Sequence, residues 1–407
     1  MELLRRPAAG RLTVTGALLV TVTGPDSPGV TAGLLDVLAG LGAEVVDAEQ
    51  VAVHGRLLLG FEVRPADGRP VEQPLRAAAA ALDVSLDVAP LPEPEDTVRA
   101  LRHAVTVLGA PLPPASFAGV ARRLAACGAN IDRVLRLSSW PATSYELLVS
   151  GGDTARLRTE LAAEAVAQQV DVAVEPVTLW RRARRLVVMD VDSTLVQGEV
   201  IEMLAAEAGC AARVAEVTAA AMAGELDFEA SLRARVALLE GLPVSAVDRV
   251  REQVRLTPGA RTLVRTLKRL GHVVGIVSGG FTVVTDDLKA QLGLHHALAN
   301  ELEVMDGRLT GRVVGDVVDR AGKAAALRRF AAAEGMDLAQ TVAVGDGAND
   351  LDMIEAAGLG IAFNAKPVVR QAADTALSVP YLDAVLFLLG IPREEVEAAD
   401  SGGPASG

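Results

Sequence analysis

The stretch Arg185–Glu199, RLVVMDVDSTLVQGE, runs from a short apolar segment straight into two aspartates one residue apart. Leu186-Val187-Val188-Met189 reads as a buried strand, because a short unbroken apolar run fits a strand covered on both faces. Asp190 and Asp192 then stand where that strand ends. Carboxylates at such a place either cap the helix that follows or form a reactive site. They can hold a hard divalent cation, and one of them can attack phosphorus as a nucleophile.

Downstream the same pattern repeats. VVGIVSG (273–279) and TVAVGDG (341–347) are further apolar runs that end in Gly, Ser or Asp and alternate with helical stretches. That is a βαβ signature, so residues 180–395 are expected to form a Rossmann-like, mainly parallel α/β sheet with working residues at the carboxyl ends of its strands. Between the first two strands, Glu202–Leu270 reads as almost wholly helical. It is too long for one crossover helix and predicts an inserted helical cap at about 200–270.

Upstream, ALLVTVTG, DSPGVTAGLLDVLAGLG, AEVVDAEQVAV, RLLLGFEVRP, PLRAAAAALD and VSLDVAP read in turn as strand, helix, strand, strand, helix and strand. The order β-α-β-β-α-β predicts a ferredoxin-like module over 12–90, with helices on one face of an antiparallel sheet. A Pro/acidic linker, PLPEPED (90–96), follows, and the pattern then recurs over 98–178. Even the helix exits match, LAGLGAEVVD against LAACGANIDR, which points to a divergent tandem duplication. The small polar tail, 396–407, is expected to be disordered.

Of the 407 residues, 50% are hydrophobic and 3% aromatic, which fits a globular chain. A net charge of -13 argues against nucleic-acid or anionic-membrane partners, which want a basic surface. No apolar run approaches the roughly 18 residues of a membrane span, and the first residues carry no signal-peptide pattern. Cys127 and Cys210 stand far apart with no metal-binding spacing, so a reducing cytoplasm is the expected setting. His295 and His296 are read as part of a surface loop.

Three further pieces can join Asp190 and Asp192. Ser278-Gly279-Gly280 after the second strand is either a phosphate cradle or a plain Gly-rich turn. Lys323, near a helix start, is either a surface charge or a point charge for a phosphoryl oxygen. Asp346, Asn349 and Asp350 in GDGAND follow the third strand and offer either caps or another metal ligand and its support. Their order along the chain, each at a strand end or helix start, outweighs the bland reading of each.

DVDST, SGG, the lysine and GDGAND together resemble the haloacid-dehalogenase superfamily of phosphotransferases. Within it, Glu199, the cap stretch AMAGELDFEASLRARV and LTPGA are similar to the branch that hydrolyses O-phospho-L-serine to L-serine and phosphate, the last step of L-serine biosynthesis. The resemblance implies Mg²⁺ as cofactor and an aspartyl-phosphate intermediate. It makes Asp190 the nucleophile and Asp192 the general acid and base. Metal ligands would be Asp190, Asp192 through its backbone carbonyl, and Asp346, with Asp350 supporting the metal or the lysine. Ser278, Gly279 and Lys323 would bind phosphoryl oxygens, with Asn349 near the substrate. Glu199 would meet the substrate ammonium and Arg235 its carboxylate, while Met222 and Phe228 shield the site.

The duplicated front half resembles a tandem pair of ACT domains, regulatory modules that bind amino acids. This implies an effector, with L-serine the natural candidate, and assembly into a homodimer or higher homo-oligomer. The GPDSPGV loop, with Asp26, Ser27 and Gly29, would hold the effector carboxylate on exposed N–H groups at a helix start.

Overall fold

The structure, a computed structural model, describes residues 16–66, 69–91, 101–223 and 225–401. The chain divides into two compact units, residues 1–98 and 99–407.

In the first unit, β1 (Leu18–Pro25), β2 (Glu44–Val53), β3 (Arg56–Arg64) and β4 (Ser85–Pro90) form an antiparallel sheet in the order β2-β3-β1-β4. The helices Val30–Gly40 and Glu72–Ala81 bury Leu34, Leu38 and Leu75 against Val20, Val22, Leu59 and Phe61 of the sheet. This is the β-α-β-β-α-β module that the alternation of apolar residues predicts.

The second unit opens with the same arrangement. Strands β5 (Leu101–Gly109), β6 (Ala129–Ser138), β7 (Thr143–Gly151) and β8 (Asp171–Pro176) lie in the order β6-β7-β5-β8. A seven-stranded sheet follows, built from β9 (Leu186–Asp190), β10 (Val273–Phe281), β11 (His296–Met305), β12 (Arg308–Val314), β13 (Thr341–Gly345), β14 (Leu359–Phe363) and β15 (Thr375–Leu377). Its order is β12-β11-β10-β9-β13-β14-β15, parallel except for the β11–β12 pair.

Register places the site. Val187 of β9 lies opposite Val274 on one side and Val342 on the other, so Asp190 pairs with Val277 and Met189 with Val344. The three strands therefore end at one level, and the residues that follow each of them meet there.

Four helices, Val200–Glu207, Ala211–Met222, Phe228–Ala237 and Val244–Gln253, make the insertion after β9. The last helix of the expected cap, Ala260–Arg269, differs in role. It buries Leu263, Val264 and Leu267 and runs directly into β10, as the crossover helix of the sheet. Its charged face, Arg261, Arg265, Lys268 and Arg269, points away from that core.

The second module is fused to this sheet. Leu108, Leu137, Ala142 and Ala173 share one apolar core with Val187, Val342 and Leu377. Thr375 Oγ1 donates to Val172 O (3.1 Å), and the buried Asp171 carboxylate accepts from Ser378 N at 2.6 Å. Around the connecting segment, Glu175 takes Arg185 at 3.0 Å and Arg181 at 3.1 Å, and Arg181 also pairs with Glu146. All four side chains are largely buried, so none of these charges can lose its partner cheaply.

Two expectations need correction. The tail expected to be disordered from 396 is helical through Ser401, because Val396 is buried and Asp400 pairs with Arg265 and with Arg269 (2.5 Å). Residues 402–407 lie outside the described residues. His295 and His296 are not a free surface loop either. His295 Nδ1 accepts from Val274 N at 3.1 Å, and His296 stacks on Phe330 and bonds Glu334 at 2.9 Å. No helix among the described residues is long and apolar enough to cross a membrane.

Candidate active site

Asp190 is the last residue of β9, and the chain then turns through Val191–Leu195. Ser193 sits in that turn at φ 57, a left-handed conformation that few non-glycine residues adopt. The turn is fixed by Ser193 N donating to Gly198 O (3.1 Å) and by Thr194 Oγ1 donating to Asp346 Oδ1 (2.7 Å). A strained turn that surrounding bonds over-determine is common at reactive sites.

Lys323 enters from the helix Arg320–Ala333, whose start is capped by Asp319 accepting from Gly322 N at 2.7 Å. Its Nζ donates to Asp190 Oδ1 at 2.5 Å and to Asp350 Oδ1 at 2.7 Å, and all three side chains are buried. Burial works to depress the lysine, but the two carboxylates outweigh it and hold the ammonium above its ordinary value. The other oxygen of Asp350 accepts from Asp346 N (3.1 Å) and Gly347 N (2.9 Å), which shapes the loop after β13.

Asp190, Asp346 and Asp350 each bring a carboxylate oxygen to within 4.8 Å of the others. This is a set of hard oxygen donors, the kind that holds Mg²⁺. The side chain of Asp192 is not among them. It accepts from Val200 N (2.8 Å) and Ser278 Oγ (3.0 Å), so Asp192 could reach a cation only through its backbone carbonyl.

These environments raise three acids. Burial, then the neighbouring Asp350 charge, pushes Asp190 well above the usual carboxylate range, against the pull of Lys323. Asp192 is raised by burial, opposed by its bonds from Val200 and Ser278. Burial lifts Asp346 to about 6, with Thr194 working the other way. Burial favours the acid form of Asp192, which suits a proton donor.

Ser278 is buried behind Asp192. Its Oγ also accepts from Gly280 N at 2.7 Å. Gly279 O accepts from Asn300 Nδ2 (2.8 Å), and Asn300 Oδ1 accepts from Val318 N (2.7 Å). Asn300 thus ties the Ser278–Gly280 turn to the approach of the Lys323 helix. A Cβ on Gly279 would lie 2.9 Å from Phe228 Cζ, so only a glycine lets the ring come this close.

Asp190, Asp192, Glu199, Phe228, Arg235, Gly279, Lys323, Asp346 and Asn349 line one cleft of about 470 Å³. Glu199 takes a bond from Ser193 Oγ (3.2 Å), and burial, then the Asp192 charge, lifts it to about 7. Burial lowers Arg235 from its ordinary value, against the pull of Glu199. The cleft thus holds two acids, Glu199 and Glu202, and one guanidinium, Arg235, on the cap side, and a cluster of carboxylates with Lys323 and Lys366 on the sheet side. The side chain of Met222 lies outside the described residues.

Sequence reading missed Ser193, Thr194, Asn300 and Lys366, the last of which also lines the cleft. Ser193 and Thr194 belong to the quoted DVDST motif but carry no charge to mark them. Asn300 lies within β11, where no local signal marks it, whereas Lys366 stands just after β14, where a search of strand ends for polar residues finds it.

In the first unit, Asp26, Ser27 and Gly29 lie between β1 and the helix Val30–Gly40. Gly29 is at φ 98, Asp26 N donates to Gly55 O (2.9 Å), and Ser27 O accepts from Val30 N (3.4 Å).

Comparison with known proteins agrees with this arrangement. Residues 187–355 match the haloacid dehalogenase-like hydrolase family, and residues 17–89 and 102–175 each match an ACT domain family. A phosphoserine phosphatase of Streptomyces coelicolor is 59% identical over 404 residues, covering 97% of each chain. The chain belongs to the phosphoserine phosphatase family. Phosphoserine phosphatase SerB2 of Mycobacterium tuberculosis is 54% identical over 396 residues, covering 95% of this chain and 96% of that one. The solved structure of a probable phosphoserine phosphatase from Vibrio cholerae, in unliganded form, matches 76% of this chain and 91% of its own at 36% identity and a TM-score of 0.57. Phosphoserine phosphatase relatives thus span both the modules and the sheet domain.

Proposed function

We propose that the chain hydrolyses O-phospho-L-serine to L-serine and phosphate through a phosphoryl group carried on Asp190. The observation that carries this reading is the division of the cleft. An acid and an arginine, Glu199 and Arg235, face the lysine–carboxylate cluster across it. A phosphorylated amino acid has an ammonium, a carboxylate and a phosphate to place, and the cleft offers a partner for each.

In the first step an Asp190 oxygen attacks phosphorus while the bond to the seryl oxygen breaks. Asp192, whose acid form burial favours, gives its proton to that oxygen. In the second step Asp192, now ionised, takes a proton from water. The resulting hydroxide attacks the phosphorus on Asp190, and phosphate departs. Lys323 and the N–H groups of the Ser278–Gly280 turn neutralise charge on the phosphoryl oxygens, the main demand of this chemistry.

Asp190, Asp346 and the backbone carbonyl of Asp192 would hold Mg²⁺, with Asp350 orienting the loop and Lys323. When bound, the ion supplies positive charge to the transferring phosphoryl group. Glu199 receives the ammonium, and Arg235 can grip the carboxylate bidentately. Phe228, against Gly279, screens the phosphoryl side from water.

The same reading places the enzyme in the cytoplasm, at the last step of L-serine biosynthesis. It gives the first module an L-serine effector at the Asp26–Gly29 loop. The ten-residue edge strand β2, with Val46, Val51 and Val53 exposed, is a surface suited to assembly into a homodimer or higher homo-oligomer. Phosphate release from a panel of phosphomonoesters, with Mg²⁺ or with EDTA and with or without L-serine, tests these points. Preference for O-phospho-L-serine, lost in EDTA, is expected. Equal turnover of phosphate esters that lack the ammonium would overturn the substrate assignment.

A further inference from the structure

Behind the nucleophile turn lies a second, smaller cleft of about 200 Å³. Its polar rim is Arg251, Arg255 and Arg261, and its floor includes Leu256, Val284 and Leu288. In a chain of net charge -13, three guanidiniums round one hollow are out of keeping with the surface. Arg251 has an exposed partner in Asp248 at 3.4 Å. Arg255 bonds only to Glu252 O (3.1 Å) and Arg261 only to Gln291 Oε1 (3.5 Å). Neither has a carboxylate within ion-pairing distance among the described residues. The one acid in the cleft, Asp287, accepts from Gln291 Nε2 at 2.7 Å.

Both walls continue into the active site. On one side, Arg255 O accepts from Gln197 N (2.8 Å) and Leu256 O from Gln197 Nε2 (2.9 Å). Thr257 N donates to Leu195 O (2.9 Å), and Thr257 Oγ1 donates to Thr194 O (2.7 Å). The segment Arg255–Thr257 is therefore the brace of the turn that follows Asp190, and Thr194 passes that contact on to Asp346. On the other side, Val284, Asp287, Leu288 and Gln291 belong to the helix Thr282–Leu292, which begins directly after the Ser278–Gly280 turn.

We propose that this cleft is a second anion site, taking a phosphate dianion, free or on a small ester, and that its occupancy changes turnover through the Arg255–Thr257 brace. Two guanidiniums without carboxylates suit bidentate binding of phosphate oxygens, and the volume holds a small molecule but no polymer. An anion drawn between Arg255 and Arg261 acts on the backbone that holds Gln197 and Thr194, so its effect falls on kcat. A phosphate at the active site competes with substrate and acts on KM alone.

The test uses the full-length chain, with inorganic phosphate and propylphosphonate as ligands. Isothermal titration is expected to find two phosphate sites per chain, falling to one in R255Q/R261Q and returning to two in R255K/R261K. With O-phospho-L-serine as substrate, phosphate is expected to change kcat on the order of five-fold. In R255Q/R261Q only the effect of phosphate on KM should remain. Tighter binding of propylphosphonate than of inorganic phosphate at the second site identifies a small ester as the ligand, and the reverse identifies free phosphate. The absence of any phosphate site that R255Q/R261Q removes would overturn the proposal, whatever the active site binds. The kinetic arm rests on the phosphatase reading above, but the binding arm does not, so the two can fail separately.

Discussion

Lys323 and Asp190 form a buried ion pair, Nζ to Oδ1 2.5 Å, where the central strand meets the cleft. Asp350 shares the same ammonium at 2.7 Å. Removing the lysine strands two buried carboxylates, and breaking such a pair costs about 3–5 kcal/mol. Lys323→Met is therefore expected to lose stability on that scale in urea denaturation at pH 8. Asp350→Asn should recover part of that loss, because it removes one of the two stranded charges. Unchanged stability at pH 8 would mean that the pair does not form.

Glu199 titrates at about 7 in the folded chain against 4.5 as its ordinary value. The folded state binds this proton more tightly than the unfolded state. The group therefore favours folding below about pH 4.5, and that contribution is lost as pH rises through 7. Glu199→Gln is expected to be more stable than the parent at pH 8, by on the order of 1–3 kcal/mol, and equal to it at low pH. At the same time KM for O-phospho-L-serine should rise, and the acid-side fall in kcat/KM should move to lower pH than in the parent. A variant with the parental pH profile would remove Glu199 from ammonium binding.

Gly280 faces Asp192. A Cβ there would lie 2.8 Å from Asp192 Oδ2 and 2.9 Å from Ser278 Oγ. Gly280→Ala is expected to displace the proposed proton donor and lower kcat on the order of 100-fold, since small misplacements in a site cost that much. Thermal unfolding should move far less than activity does. Full turnover in this variant would show that the Asp192–Ser278 contact is not needed.

Glu175 joins the second module to the sheet domain through Arg181 and Arg185. Glu175→Ala leaves two largely buried guanidiniums short of a partner. It should destabilise the second unit by about 3 kcal/mol and speed proteolysis of the segment between β8 and β9. Limited proteolysis read by mass spectrometry checks this. Cleavage at the parental rate would show that the apolar contacts alone hold the junction.

Much of this was legible because the signals were local. The apolar run Leu186–Met189 and the residues that end it gave β9 and Asp190, and the duplicated βαββαβ pattern gave both modules. The pairings across the sheet are not local, and for that reason Asn300 and Thr194 escaped notice. Nothing in LANE or DST says that one side chain would bridge Gly279 and Val318, or that the other would reach Asp346. The fusion of the second module to the sheet was hidden likewise, since Asp171, Glu175 and Arg185 read as ordinary surface charges until burial is known. Helix 393–401 was missed because its small polar sequence is held by Arg265 and Arg269, more than a hundred residues upstream.

The central claim is that Asp190 carries the phosphoryl group. Rapid acid quenching of the full-length chain turning over O-phospho-L-serine with Mg²⁺, followed by peptide mass spectrometry, measures this directly. A phosphoryl group on Asp190 that forms within the first turnover, decays as phosphate appears and is absent in Asp190→Asn is the predicted result. Phosphate release at the parental rate from Asp190→Asn, or turnover with no phosphoryl group on Asp190, would contradict it.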